Sequence, residues 1–379
     1  MKNKKSTLFC LVLSVIAVLG FTQCQVQKQK QPTGNIVVGY VAGWTGMSMD
    51  RVDATKLTHI NYAFANIRDG EVVFELETDS ANLAQLVAKK AQNPDLKILV
   101  SIGGWVWSDQ FSDAALTDST RARFAKSAIE MMLTHRLDGL DLDWEYPGQI
   151  GEDNIFRAED KQNFTLLLKE IRQQLDALPQ SADQHFLLTI ASGANQAYID
   201  HTELGEAQKH LDFINIMTYD LYSGLDYTTG HHANLSPSKH TTEASRDIYA
   251  AVDGHINAGV PAHKVVLGIP FYGRMWTGVT AQNNGLYQPA QSVGTIIDYH
   301  IIVDNYMGKG FERFWDESAQ APYLWSQDSA TFISYEDTQS LELKLKYMDE
   351  KGLGGAMFWE YSLDKDDELL NKIDAHFKK

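Results

Sequence analysis

The chain has 379 residues, 44% of them hydrophobic and 22% charged, an ordinary globular composition with ample material for a core. Its formal net charge of −16 disfavours nucleic acid and anionic membrane surfaces as partners and leaves uncharged ligands such as sugars open. Both cysteines, Cys10 and Cys24, lie near the start, so the remainder has no disulfide framework.

Lys2, Lys4 and Lys5 precede an apolar run over 8–21, which has signal-peptide length and is short for a spanning helix. The expectation is an exported chain with residues 1–23 as signal peptide, 24–34 as a polar linker and 35–379 as the catalytic domain. Cys24 resembles a bacterial lipoprotein attachment site, with Gln23 standing where a small residue is usual. An outer-membrane or cell-surface lipoprotein is therefore expected, with a secreted or periplasmic protein as the alternative.

From 35 onward, short β-branched runs alternate with helix-period stretches. The strand candidates are 35–44, 56–67, 96–105, 137–146, 185–194, 211–220, 263–273 and 352–362. Helical patterns occupy 79–92, 118–136, 158–178, 241–259, 337–352 and the C-terminal stretch, while 198–210 has room only for a short helix. Eight strands alternating with helices predict an α/β chain, a (β/α)8 TIM barrel. The seventh connection is too long for a simple loop. It carries strand-like runs at 295–305, 311–316, 322–326 and 331–336, so 275–336 reads as a small, β-rich α+β insertion in the seventh βα connection.

The fourth candidate strand contains "LDGLDLDWEYPG", 137–148. Alternate residues of a strand share a face, so Asp141, Asp143 and Glu145 lie together and Leu140, Leu142 and Trp144 lie opposite. Inside a barrel the acids point inward at the C-terminal mouth, where active sites of this fold sit. Three carboxyls so close cannot all ionise cheaply, and one that keeps its proton is a general acid. Spacing alone leaves open a divalent metal and a solvated acidic edge strand; an EF-hand does not fit, because Tyr146 stands at its required glycine.

"DGLDLDWEYP" resembles the D-G-x-D-x-D-x-E signature of glycoside hydrolase family 18, the chitinases and their relatives. The likeness continues through "VGYVAGW", "INYAF", "SIGGW", "MTYD", "TGHHANL", "GIPFYGR" and "GGAMFWEYS", over roughly 35–375. The long seventh connection resembles the insertion of the deep-cleft chitinases.

The resemblance implies retaining, substrate-assisted hydrolysis of β-1,4-linked N-acetylglucosamine, in chitin or its oligosaccharides. By the same resemblance no cofactor and no metal is needed. Glu145 matches the general acid, Asp143 the aspartate that bonds the substrate acetamido N–H, Asp141 its proton-sharing neighbour, and Tyr219 the tyrosine that holds the acetamido carbonyl. Trp359 matches the sugar floor, and Trp105 and Phe64 aromatic walls. Met217, Asp220, Tyr272 and Arg274 match cleft positions, Tyr40 and Ser101 supports of the aspartates, and Asp138 a structural support. Trp276, Trp107 and Trp44 are further candidates for the sugar path. The adjacent His231 and His232 offer no ligand spacing for a metal. An endo-β-N-acetylglucosaminidase acting on N-glycans is the enzyme alternative, and a chitin-binding lectin the non-catalytic one. A monomer is expected.

Overall fold

A computed structural model describes residues 36–179, 185–241 and 246–378; the signal-peptide, linker and Cys24 expectations lie outside them. Among the described residues, eight parallel strands form a closed barrel: Ile36–Ala42, His59–Arg68, Lys97–Gly103, Gly139–Asp143, Leu187–Gly193, Phe213–Met217, Val265–Pro270 and Gly355–Trp359. Closure comes from the first strand, which pairs with the eighth (Ile36 opposite Gly355) and with the second (Val38 opposite His59). The strands read as near-continuous apolar runs because they are covered on both faces, by helices outside and by packed side chains inside. Ile36, Val38, Phe213, Val266 and Met357 fill the interior.

Outer helices bury one apolar stripe each. Asp160–Asp176 buries Phe164, Leu167, Leu168, Ile171 and Leu175, at the three- and four-residue spacing of a helix face. Asp118–Thr134 starts at a capping box between Thr117 and Thr120. Thr338–Lys351 is capped by the Asp337 side chain and ends on Gly352 in the left-handed region. Residues 198–210 contain only short helical turns: Gln196–Asp200, in part, Leu204–Ala207 and Gln208–His210.

The insertion is a five-stranded antiparallel sheet in the order Thr295–Asp298, Tyr272–Thr277, Thr331–Ser334, Ala321–Ser326, Glu312–Asp316. Three sequence expectations change in the structure. The run 263–273 splits at Phe271, and its second part, Tyr272–Thr277, leaves the barrel to join the insertion sheet. The run 295–305 is strand only to Asp298, then the helix Tyr299–Asn305, whose buried Tyr299 and Ile302 are spaced by three rather than two. The fourth barrel strand stops at Asp143, so Glu145 lies just beyond it.

Candidate active site

The fourth strand keeps the expected alternation. Trp144 is buried outside the barrel, stacked on Phe111 (centroids 5.2 Å apart) and edge-on to Phe164 (5.7 Å). Asp141 points the other way, into the barrel, and is fully buried. Its Oδ2 accepts the Tyr40 hydroxyl at 2.8 Å and the Ser101 hydroxyl at 2.7 Å. Its Oδ1 accepts Thr189 at 2.5 Å and Asn215 Nδ2 at 3.4 Å. Burial pushes its proton affinity up, and these four donors pull against the shift. A carboxylate with both oxygens engaged by hydroxyls and an amide is also no metal ligand.

Asp143, one step nearer the mouth, has no such cradle. Its Oδ1 is buried without a hydrogen-bond partner. Burial, then Glu145, then Asp141 push its pKa well above the usual carboxylate range. Glu145 is raised to about 7, by burial first and also by the negative charge of Asp220, against a lowering hydrogen bond from Tyr146. The three acids therefore share fewer charges than carboxyls, and Asp143 and Glu145 both hold a proton more firmly than ordinary carboxyls do.

The backbone fixes this geometry. The Ser108 hydroxyl accepts the Glu145 N–H at 2.9 Å and lies 3.1 Å from the Asp143 carbonyl. Gly103 leaves the third strand at φ +105, where a Cβ would lie 2.3 Å from the Asp143 carbonyl oxygen, so a side chain there is excluded. The peptide bonds Ala63–Phe64, Glu145–Tyr146 and Trp359–Glu360 are cis.

Tyr219 follows the sixth strand. Its hydroxyl is pushed far above its ordinary pKa by burial, then by Asp143 and Glu145, so it is a donor at all ordinary pH. Asp220, at φ 55, is gripped by the Arg274 fork, Nε to Oδ1 at 2.7 Å and Nη2 to Oδ2 at 2.6 Å. Burial would raise its pKa, but His232 and Arg274 prevail and bring it to about 2. Tyr272 lies edge-on to Tyr219, its ring centroid 6.0 Å away.

An aromatic floor lies at the end of the eighth strand. Trp359 is half-buried, stacked on Phe64 (5.5 Å, 18° between planes) and tilted against Tyr40 (5.6 Å). Phe64 reaches it because the pairing of the second and third strands slips between Ala63 and Ala65, leaving Phe64 as the bulged residue. Trp44, 51% exposed, stacks on Phe64 at 5.8 Å and tilts against Trp359 at 6.2 Å. Trp105 stands across the mouth, edge-on to Tyr146 at 6.4 Å, and Trp107 beside it is half-buried. Met217 packs on the interior cluster beneath Trp359 and Tyr219.

Two residues stand elsewhere. Asp138 is at the opposite end of the fourth strand, where its carboxylate accepts the Ile98 N–H at 2.7 Å and pairs with Lys90. Trp276 is not on the sugar path: it is fully buried in the insertion core with Phe332, its indole N–H bonded to the Asp226 carbonyl. Sequence reading missed Thr189 and Asn215, although a polar residue inside the apolar runs "LLTIASG" and "FINIM" is a signal for an inward donor. It also missed Ser108, which nothing in its local sequence singles out.

The adjacent histidines separate. His231 bonds Asp316 at 3.3 Å and His232 faces Asp220 at 3.8 Å. Among the described residues no group of three or more His, Cys, Asp and Glu is arranged to hold a metal ion.

Because Asp220 raises Glu145, Asp220→Asn is expected to lower the Glu145 titration midpoint from near 7. Carboxyl infrared titration of isotopically labelled protein reads this. An unchanged midpoint contradicts the coupling.

A model of the family "Glycosyl hydrolases family 18" matches residues 36–364. "Chitinase A1" of Niallia circulans is 39% identical over 404 residues; the match covers 89% of this chain but only 58% of that protein. The solved structure of a glycoside hydrolase family 18 N-acetylglucosaminidase from Paenibacillus barengoltzii has a TM-score of 0.84 at 40% identity, covering 90% of this chain and 99% of that one. Human YKL-39, described as a pseudo-chitinase that retains chitooligosaccharide binding, superimposes with a TM-score of 0.83 at 26% identity, covering 91% and 100%.

Proposed function

The chain belongs to glycosyl hydrolase family 18, and from that premise we propose that it hydrolyses β-1,4-linked N-acetylglucosamine in chitin or its oligosaccharides, with retention and with the substrate's own acetamido group as nucleophile. The observation that carries this is Glu145, a buried carboxyl with a pKa of about 7 at the rim of the barrel, above a second acid whose proton affinity is also raised. In the proposed first step Glu145 gives its proton to the glycosidic oxygen while the acetamido carbonyl oxygen attacks the anomeric carbon and the glycosidic bond breaks. The Tyr219 hydroxyl donates to that carbonyl. Asp143 accepts the acetamido N–H and stabilises the cationic ring that forms, an electrostatic contribution strengthened by burial. Water then opens the ring with Glu145, now ionised, as base. By the family resemblance Asp141, the neighbour behind Asp143, shares a proton with it during the reaction. Trp359 lies under the reacting sugar.

A second reading, release of single N-acetylglucosamine units, is favoured by the likeness to the Paenibacillus N-acetylglucosaminidase, which this chain matches over 99% of that protein's length. An endo-β-N-acetylglucosaminidase has no comparable support, and a lectin leaves the protonated Glu145 without a task.

Glu145→Gln is expected to lower kcat on chitin oligosaccharides by about 10³-fold, at the upper part of what general acids contribute, while binding measured by calorimetry stays within a few-fold. Retained turnover contradicts the assignment of the acid.

We also propose export and lipid attachment at Cys24, on the strength of the basic start, the apolar run and the cysteine that follows. Labelled palmitate should enter the wild-type chain in cells and not Cys24→Ser. Equal labelling, or none in either, contradicts the anchor.

A further inference from the structure

The segment "TGHHANL", 229–235, is a loop, yet Thr229, His231, His232 and Asn234 are all buried in it. It lies between the barrel and the insertion sheet. The His232 N–H donates to the Ser334 hydroxyl of the insertion at 2.9 Å, and the His232 carbonyl accepts the Leu221 N–H at 3.0 Å. One residue thus ties the sheet to the turn that carries Asp220.

The two imidazoles differ in what they do. His231 bonds Asp316 through Nε2, and Asp316 also accepts Ser238 and Ser318, a structural network that leaves only the His231 Nδ1 without a partner. His232 has no hydrogen-bond partner on either ring nitrogen, although it is fully buried. Its ring tilts against Tyr272 at 5.3 Å, and its Nδ1 faces Asp220 Oδ1 at 3.8 Å. A buried N–H without a partner is costly, and packing on Tyr272 alone would be served by an apolar side chain. The Asp220 side chain is 35% exposed against 0% for His232, so the space for a small adjustment lies on the Asp220 side. Arg274 takes one site on each Asp220 oxygen, and Tyr272 and His232 are the other donors facing that carboxylate. A shift of about 1 Å brings Oδ1 within bonding distance of Nδ1.

We infer that His232 is a positioning residue for the reaction: its neutral imidazole directs an Nδ1–H donor at Asp220 and holds that carboxylate ionised beside Glu145. Neutrality matters here. Asp220 raises the proton affinity of Glu145 by its negative charge, and a second cation beside it, added to Arg274, would cancel more of that field. Burial first, and then Arg274 and Lys344, keep His232 uncharged, with a pKa of about 4, against the pull of Asp220. Lys344 is itself paired with the buried Glu336. The inference rests on the reading of the cleft proposed above.

Asparagine and glutamine separate the two ring nitrogens, because an Asn amide falls near the position of Nδ1 and a Gln amide near that of Nε2. His232→Asn is expected to keep kcat on chitin oligosaccharides within about threefold. His232→Gln and His232→Leu are expected to lose about tenfold, the effect of one hydrogen bond to a charged group, with smaller changes in KM. The Glu145 titration midpoint falls in the Gln and Leu variants and not in the Asn variant. Equal losses in all three at equal unfolding midpoints, or full activity of His232→Leu, overturn the inference. Should His232→Leu fail to fold, the Asn and Gln contrast decides. Wild-type protein is assayed alongside. If it does not turn over the oligosaccharide, the cleft reading fails, and the Glu145 midpoints alone decide whether His232 holds Asp220.

Discussion

Everything at the mouth of the barrel depends on how the Asp141 carboxylate is buried. An isolated carboxyl taken out of water loses several kcal/mol unless hydrogen bonds replace its hydration. Here Tyr40, Ser101, Thr189 and Asn215 supply them from four different strands. That cradle is a product of barrel closure, since no hairpin or single βα unit brings those strands to one point. With the lowest acid fixed in this way, the next one up has no donors of its own and faces charge on both sides. Its own proton affinity rises as a result, and that of Glu145 at the rim is raised as well.

The insertion takes part in the same electrostatics. Its strand Tyr272–Thr277 continues directly from the barrel and carries Arg274, which clamps Asp220. Asp220 in turn raises the proton affinity of Glu145. The path from insertion to acid therefore runs through a salt bridge between residues 54 apart in sequence. Its other wall is the buried loop with His231 and His232, packed between sheet and barrel. Moving the insertion would disturb the charge that Glu145 feels, as well as the depth of the cleft.

Much of this was legible in the sequence, for identifiable reasons. Period-two alternation in 137–146 sorted Asp141 from Trp144, and the run of eight strand and helix patterns gave the barrel. The partners of Asp141 were half legible: Tyr40 and Ser101 came with the family resemblance, while Thr189 and Asn215 depend on register, which pairs Asp141 with Thr189 and Ala191 with Asn215. The stacking of Phe64 on Trp359 depends on a one-residue bulge that no composition signals. Trp276 failed for the opposite reason. Tryptophan at the start of an insertion suits a platform and a core equally, and only the three-dimensional packing separates them.

In the proposed reaction the substrate's acetamido group does the displacement while Glu145 serves first as acid and then as base. The anomeric configuration of the product at the moment of cleavage tests this most directly. Proton NMR of a chitin oligosaccharide during the first minutes of hydrolysis, before mutarotation, should show the β-anomer at the newly formed reducing end. An initial α-anomer would mean direct attack by water, and the account would be wrong.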